Sequence, residues 1–378
     1  MATRRSVFTL GLAVLGIAAA GWQALSARRP GHGGKSAGNT SLVENAQIVS
    51  RKIGSLEGAG TPYTMAVEGN DLIVADGNRS VHVYSIKAFA PKFTIGGKED
   101  EASELSLFSI IWITSDSIVV SDFDKSTWSS RTGEFIKAVN STDFPDFDPL
   151  QGTLLFPAGD RYVRIVSNHP DRRRIVGLFD RELRPIATLH EGLFDWNQTG
   201  GTSGFNLLPY RIEVAAGDGE IYVSDTDRGF FIRVFDLEGR TIATIDLTAV
   251  EEAVPVSETD REKLLEDVRR TRSENVYNFA KANARFPDTF PRIHEIRYSE
   301  GRLYVTTHRE KGGLHEMLVL DTRGKVLEQL FLPIPSFHHF RGAVRNDLFD
   351  VSGGGLFELV QNPETQAWEV LRTDLTRR

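Results

Sequence analysis

The chain repeats itself, and the repeat limits what it can fold into. The stretch GEIYVSDTDRGFFIRVFDLEGRTIATI at 219–245 returns, with variation, as NDLIVADGNRSVHVYSIKAFAPKFTIGG upstream and as GRLYVTTHREKGGLHEMLVLDTRGKVLEQLFL downstream. Six units can be laid out, at roughly 61–97, 105–140, 152–190, 208–248, 290–332 and 337–375. Each holds a β-rich run that closes on a small, polar or acidic residue: LIVAD (72–76), SIVVSD (117–122), RIVSN (164–168), IYVSD (221–225), LYVTT (303–307) and LFDVS (348–352). Apolar and polar residues alternate in these runs, which marks strands rather than helices. The turn cores EGR, RGK and RTGE suit tight hairpins. Four antiparallel strands per unit of about 40 residues, repeated around a ring, make a β-propeller. A small sheet with two apolar faces cannot bury both alone, and packing sheet on sheet in a closed circle solves that. The expected fold is therefore all-β, a six-bladed propeller over 46–378 with a helical insertion at 251–290 between blades 4 and 5. Ring closure stays open between two strands: AWEVLRTDL (367–375) reads as the fourth strand of blade 6, and AQIVSRKI (46–53) competes for that outer place.

The insertion, SETDREKLLEDVRRTRSENVYNFAKANARF, has helical character. Thr259 with Glu262, or Ser257 with Asp260, offers a capping box. Leu264, Leu265 and Val268 form one apolar face, and Val276, Phe279 and Ala280 another. Pro287 and Pro291 end it. Long insertions in compact domains are often functional, so this one is either a flap or docking arm, or a cover for the channel.

The first residues differ in kind. Residues 1–27 place Arg4 and Arg5 before an apolar run from Val7 to about Gly21, followed by small residues, the layout of an export signal. The paired arginines resemble a twin-arginine signal, although Val7 stands where the fullest form has Phe. Val7 to Leu25 is also close to the ~20 residues a membrane span needs. The segment is thus either cleaved after export to a periplasmic or extracellular location, or kept as an inner-membrane anchor through residues 7–25. Residues 28–45 read as a flexible linker. Net charge is −7, which leaves no basic field for nucleic acid. Cysteine is absent, which excludes disulfides, thiol nucleophiles, thiolate-ligated metals and a lipoprotein anchor.

A propeller's top face gathers the starts of first strands, the ends of second strands and the connections between blades. The second-strand ends are Asp76, Asp122, Asn168, Asp225, Thr307 and Ser352. Asp76, Asp122, Asn168 and Asp225 could hold a hard cation such as calcium, or simply cap the following turn through backbone N–H groups. First strands begin at PYTMAV (62–67), PYRIEV (209–214), PRIHEI (291–296) and FRGAV (340–344), with Arg211, Arg292 and Arg341 near one level in three blades. Arginines around a channel mouth would bind an anion, carboxylate or phosphate, with Tyr63 and Tyr210 as aromatic walls. The alternative is that each arginine pairs with an acid between blades. His294 on a first strand and His308 just past a second-strand end could face the channel as a metal or acid–base pair. No HExxH, no G-x-S-x-G elbow, no P-loop and no dinucleotide fingerprint occurs.

At IYVSD…RVFDLEG, at RKIGSLEGAGTP and at IGG…E (95–101) the chain resembles the NHL-like six-bladed propellers. That resemblance spans most of 50–375 and implies the fold. Propellers of this kind include adaptors, receptors, lactonases and lyases, so the fold does not set the function. The leading expectation is an exported, non-catalytic propeller that binds a protein partner or small anionic ligand on its top face, using Arg211, Arg292, Arg341 and the insertion. The competing expectation is a calcium-dependent hydrolase or lyase resembling gluconolactonase, whose ligand set of a Glu near the start with later Asn and Asp does not map onto this chain residue by residue.

Overall fold

The computed structural model of the chain describes residues 50–96, 110–121, 125–140, 143, 155–168, 173–193, 205–206, 212–226, 229–250, 252–271, 273–334 and 348–375, with 167, 168, 173, 193, 205, 206, 270 and 271 as backbone alone. Residues 1–45, read above as an export segment and linker, lie outside them. The chain begins with β1 (Ser50–Ser55) and then builds blade 1 from β2 (Pro62–Glu68), β3 (Asp71–Asp76), β4 (Ser80–Ser85) and β5 (Ala90–Gly96). Blade 2 is β6 (Ile110–Ile113), β7 (Ser117–Ser121), β8 (Lys125–Ser130) and β9 (Phe135–Asn140). Blade 3 is β10 (Leu155–Ala158), β11 (Arg161–Asn168), β12 (Arg173–Phe179) and β13 (Pro185–Leu193). A short β14 (Phe205–Asn206) precedes blade 4, which is β15 (Ile212–Gly217), β16 (Glu220–Asp225), β17 (Phe231–Asp236) and β18 (Thr241–Asp246). The insertion carries α1 (Glu258–Thr271), α2 (Glu274–Asn283) and a two-residue β19 (Ala284–Arg285). Blade 5 is β20 (Glu295–Ser299), β21 (Arg302–Lys311), β22 (Leu314–Asp321) and β23 (Val326–Leu332), and the chain ends with β24 (Phe349–Ser352), β25 (Gly355–Gln361) and β26 (Trp368–Asp374).

These strands form six four-stranded antiparallel sheets, and the first strand of each touches the first strand of the next in cyclic order back to blade 1. The result is a closed six-bladed propeller. Period-two alternation decides which neighbour each side chain meets. In β3, Ile73 and Ala75 pack toward blade 2 with Ile111, Ile118 and Val120. Leu72 and Val74, between them, pack toward blade 6 with Phe357, Leu359 and Val370. Blade 4 does the same: Ile221 and Val223 meet blade 3, and Tyr222 meets blade 5. Burying each such side chain stabilises by about 1.5–3 kcal/mol, and neither face of a blade is satisfied until both neighbours are in place.

The repeated Phe-Asp or Leu-Asp followed by a turn has a local cause. Asp236 Oδ1 accepts the N–H of Glu238 at 3.1 Å and of Arg240 at 2.8 Å. Asp321 does the same for Arg323 and Lys325 at 3.0 and 2.9 Å, and Asp180 for Glu182 and Arg184 at 3.0 and 2.9 Å. The third turn residue has positive φ: Gly239 at 82° and Gly324 at 84°. Glycine is demanded there twice over, because a Cβ on Gly239 would lie 2.5 Å from Ala187, and one on Gly324 2.5 Å from Ile245. The hairpins of blades 4 and 5 thus press their glycines against the outer strand of the preceding blade, while Leu183 takes the positive-φ place in blade 3.

Closure corrects the expected strand assignment. β1 pairs antiparallel with β26, from Ser50 opposite Thr373 to Ser55 opposite Glu369. The N-terminal strand is therefore the outermost strand of blade 6, and Trp368–Asp374 is its third strand, not its fourth. LFDVS is accordingly the first strand of that blade, so Ser352 lies at the opposite rim from the second-strand ends. FRGAV, read as a first-strand start, precedes the inner strand and lies outside the described residues. Of the two capping boxes, the structure uses Ser257–Asp260: Asp260 N–H donates to Ser257 Oγ at 3.2 Å and Ser257 N–H to Asp260 Oδ2 at 3.0 Å.

Candidate functional site

Register places first-strand starts beside second-strand ends, as the top-face geometry requires: Pro62 lies opposite Asp76, Ile212 opposite Asp225 and Glu295 opposite Thr306. The insertion rises from this end between blades 4 and 5. It stands on a narrow neck, where Val256 N–H donates to Asp288 O at 3.0 Å and Phe290 N–H to Val254 O at 2.9 Å. Above the neck, Val256, Leu264, Val268, Ala280 and Phe290 form a core of their own, drawn entirely from the insertion. Phe279, expected on an apolar face, is instead exposed. A parallel bridge of β14 with β19 ties the insertion to the connection between blades 3 and 4.

At the foot of the neck lies a small, partly open cleft. Arg292, His308, Arg309, Thr307 and Glu316 line it from blade 5, Phe230 and Val250 from blade 4, and Glu252, Val254 and Phe290 from the insertion. The floor is a polar network. Glu316, almost fully buried, accepts Thr307 Oγ1–H at 2.6 Å, Arg309 Nη1–H at 2.7 Å and a further bond from Gln329. The other arm of Arg309 meets Glu252 at 2.8 Å, so one guanidinium joins blade 5 to the base of the insertion. Beside it the His308 ring stacks on Phe290 at 4.7 Å between centroids, and His294 meets His308 edge-on at 4.9 Å. Both histidines are buried, at 4% and 5% exposure, so these rings serve mainly as packed walls.

Of the residues singled out in the sequence, the structure brings Arg292 and His308 to one cleft, with His294 behind them. Tyr63 sits elsewhere, half-buried against the core between blades 1 and 2. Arg211, Tyr210, Arg341 and Asp122 fall outside the described residues, and Asn168 ends β11 with backbone described alone. Thr307, read as the strand's end, and His308, read as just past it, both lie within β21, because the pairing with β22 slips between Thr306 and Glu310 and carries the strand on to Lys311. Arg309, Glu316 and Glu252 were not singled out from sequence. An acid inside the apolar run LHEMLVLD was their visible signal.

Two of the four cation candidates, Asp76 and Asp225, are engaged by protein donors. Asp76 Oδ1 accepts the N–H of Asn78 and Ser80 at 3.0 and 3.2 Å, while Oδ2 accepts Gly60 N–H at 2.5 Å and meets His82 Nε2 at 3.0 Å. Burial alone would raise this carboxyl, but His82 and the backbone donors outweigh it and hold it below its ordinary value. Asp225 Oδ2 is met by His190 Nε2 of blade 3 at 2.8 Å, and that ring's other nitrogen meets Arg233. These two carboxylates sit in blades 1 and 4, each engaged locally, and do not fit a shared calcium cage. Among the described residues no group of three or more histidine, aspartate or glutamate side chains is arranged to hold a metal, and no helix is long and apolar enough to cross a membrane.

No protein family matches the sequence, and none of the curated proteins compared is similar to it. Among solved structures the chain is similar to a protein from Bacteroides fragilis described as exported, with a TM-score of 0.50, 10% identity, and 89% of this chain and 98% of that one covered. The WD40 domain of Pan2 from Neurospora crassa aligns with a TM-score of 0.40 and 8% identity over 89% of this chain and 98% of that one. The first of these likenesses agrees with the propeller fold.

Proposed function

We propose that this chain is an exported, non-catalytic propeller of the NHL-like type that binds a small anionic ligand, or an acidic group of a protein partner, in the top-face cleft at the foot of the insertion. The observation that carries the reading is the convergence of Arg292 with His308, Phe290 and the Arg309–Glu252 tie in one solvent-open cleft. A guanidinium beside apolar and aromatic walls, placed just ahead of the inner strand of blade 5, suits a carboxylate or phosphate. Export is supported by the basic–apolar–small order of residues 1–27 and by the exported protein that shares the fold. The test is calorimetric titration of phosphate, citrate and sugar acids into the purified chain and into an Arg292→Glu variant. Binding by the parent, lost in a variant whose melting temperature is nearly unchanged, supports the reading. Equal binding by both places any anion site elsewhere, and calcium-dependent stabilisation with lactone hydrolysis would favour the gluconolactonase-like alternative.

A further inference from the structure

The seams between blades are closed by alternating apolar side chains, and Glu358 breaks that rule. It lies in the middle of β25, opposite Phe349 of β24 and Leu371 of β26. Phe349 and Leu356, on the same face of the sheet, pack with Tyr304, Met317 and Leu332 of blade 5. Glu358 is therefore aimed into the seam between blades 5 and 6. It is fully buried, and among the described residues neither carboxyl oxygen has a hydrogen-bond partner. The comparable buried acids are answered: Glu316 by Thr307 and Arg309, Glu295 by Arg297 at 2.6 Å, and Asp76 by backbone N–H groups.

Charged groups do face this seam, but among the described residues none serves Glu358. From β20 come Glu295 and Arg297, bonded to each other, with Arg297 reaching on to Asp350 of β24 at 2.5 Å. Register turns Arg302 of β21, His315 and Asp321 of β22 and Glu328 of β23 the same way as Tyr304 and Met317. His315 meets Glu310 at 3.5 Å. Within blade 6, Glu369 of β26 is held by Lys52 of β1 at 2.7 Å. A carboxyl with no donor in an apolar seam is tolerated as the neutral acid, whereas its anion would be left without solvation.

We propose that Glu358 makes the seam between blades 5 and 6 a pH-sensitive closure of the ring: protonated, it lets the seam pack shut; ionised, it loosens the seam and releases blade 6, the blade assembled from both ends of the chain. Burial pushes the Glu358 carboxyl up from 4.5 to about 8. Because the folded value is raised, the stability that this neutral group allows is complete below about 4.5 and is lost as pH rises through about 8.

The experiment follows melting temperature of the full chain from pH 5 to 9, together with hydrogen exchange of β1 and β24–β26 corrected for intrinsic rates. The parent should lose melting temperature from pH 5 to about 8 and level off above it, and protection of blade 6 should fall at least tenfold over that window, the change that one pH unit of linkage gives. Glu358→Gln should be flat over the same range. Glu358→Leu, which fills the seam without a titrating group, should be flat and melt higher. A flat parent profile, variants that keep the parent's slope, or exchange that rises equally in all blades would overturn the proposal.

Discussion

Leu264→Ala asks whether the insertion is a unit of its own. Leu264 is fully buried, and its partners Val256, Val268, Ala280 and Phe290 all belong to the insertion. Removing its outer carbons leaves a cavity walled by two helices and a neck, a change that costs about 3 kcal/mol in cores of this kind. If that core is separate from the ring, the cost falls on local opening alone. Each 1.4 kcal/mol is a factor of ten, so amides of α1 and α2 should exchange about a hundredfold faster, while those of β15–β18 and β20–β23 keep their rates. The assay is native-state hydrogen exchange read by peptide, beside a calorimetric scan. A main melting transition that drops by several degrees, with faster exchange throughout blades 4 and 5, would refute the reasoning and show that the insertion and the ring fold as one.

Two further substitutions probe how blades and insertion are joined. Arg309→Ala removes one donor from buried Glu316 and cuts the link to Glu252; with Thr307 and Gln329 still in place the loss should be about 2–3 kcal/mol, below the full range for a broken buried pair, and should appear in chemical denaturation of blade 5 together with greater mobility of the neck. An unchanged midpoint would mark the network as incidental. Removing residues 1–56 strips β1 from β26 and exposes a sheet edge, so size-exclusion chromatography should show association between chains where the longer chain runs as a defined species. An unaltered elution profile and melting temperature would mean that β1 is not needed to close the ring.

The propeller was legible because its signal is local and repeated. IYVSD and RVFDLEGR declare strand, strand and turn within a few residues, and the structure shows why: Asp236 ties its own turn, and Gly239 must be small to meet the previous blade. Blade 6 misled the reading for the opposite reason. LFDVS has the look of a second strand, but it is the first, because the outer place of its blade is taken by β1, which pairs with β26 from more than 300 residues away, as the Ser50–Thr373 hydrogen bond illustrates. The cleft was half legible. Arg292 stood out because a proline precedes it and an inner strand follows. Arg309 and Glu316 did not, since a slip in the β21–β22 pairing brings them together, and register slips leave no simple trace in sequence.

The most direct measurement is a hydrogen-exchange difference map of the chain with and without the anion that binds it most tightly. The account predicts protection concentrated in peptides covering 250–254, 290–294 and 307–309, the three segments that meet at the cleft. Protection confined to the opposite rim, at the hairpins around Gly133, Gly239 and Gly324, would contradict it.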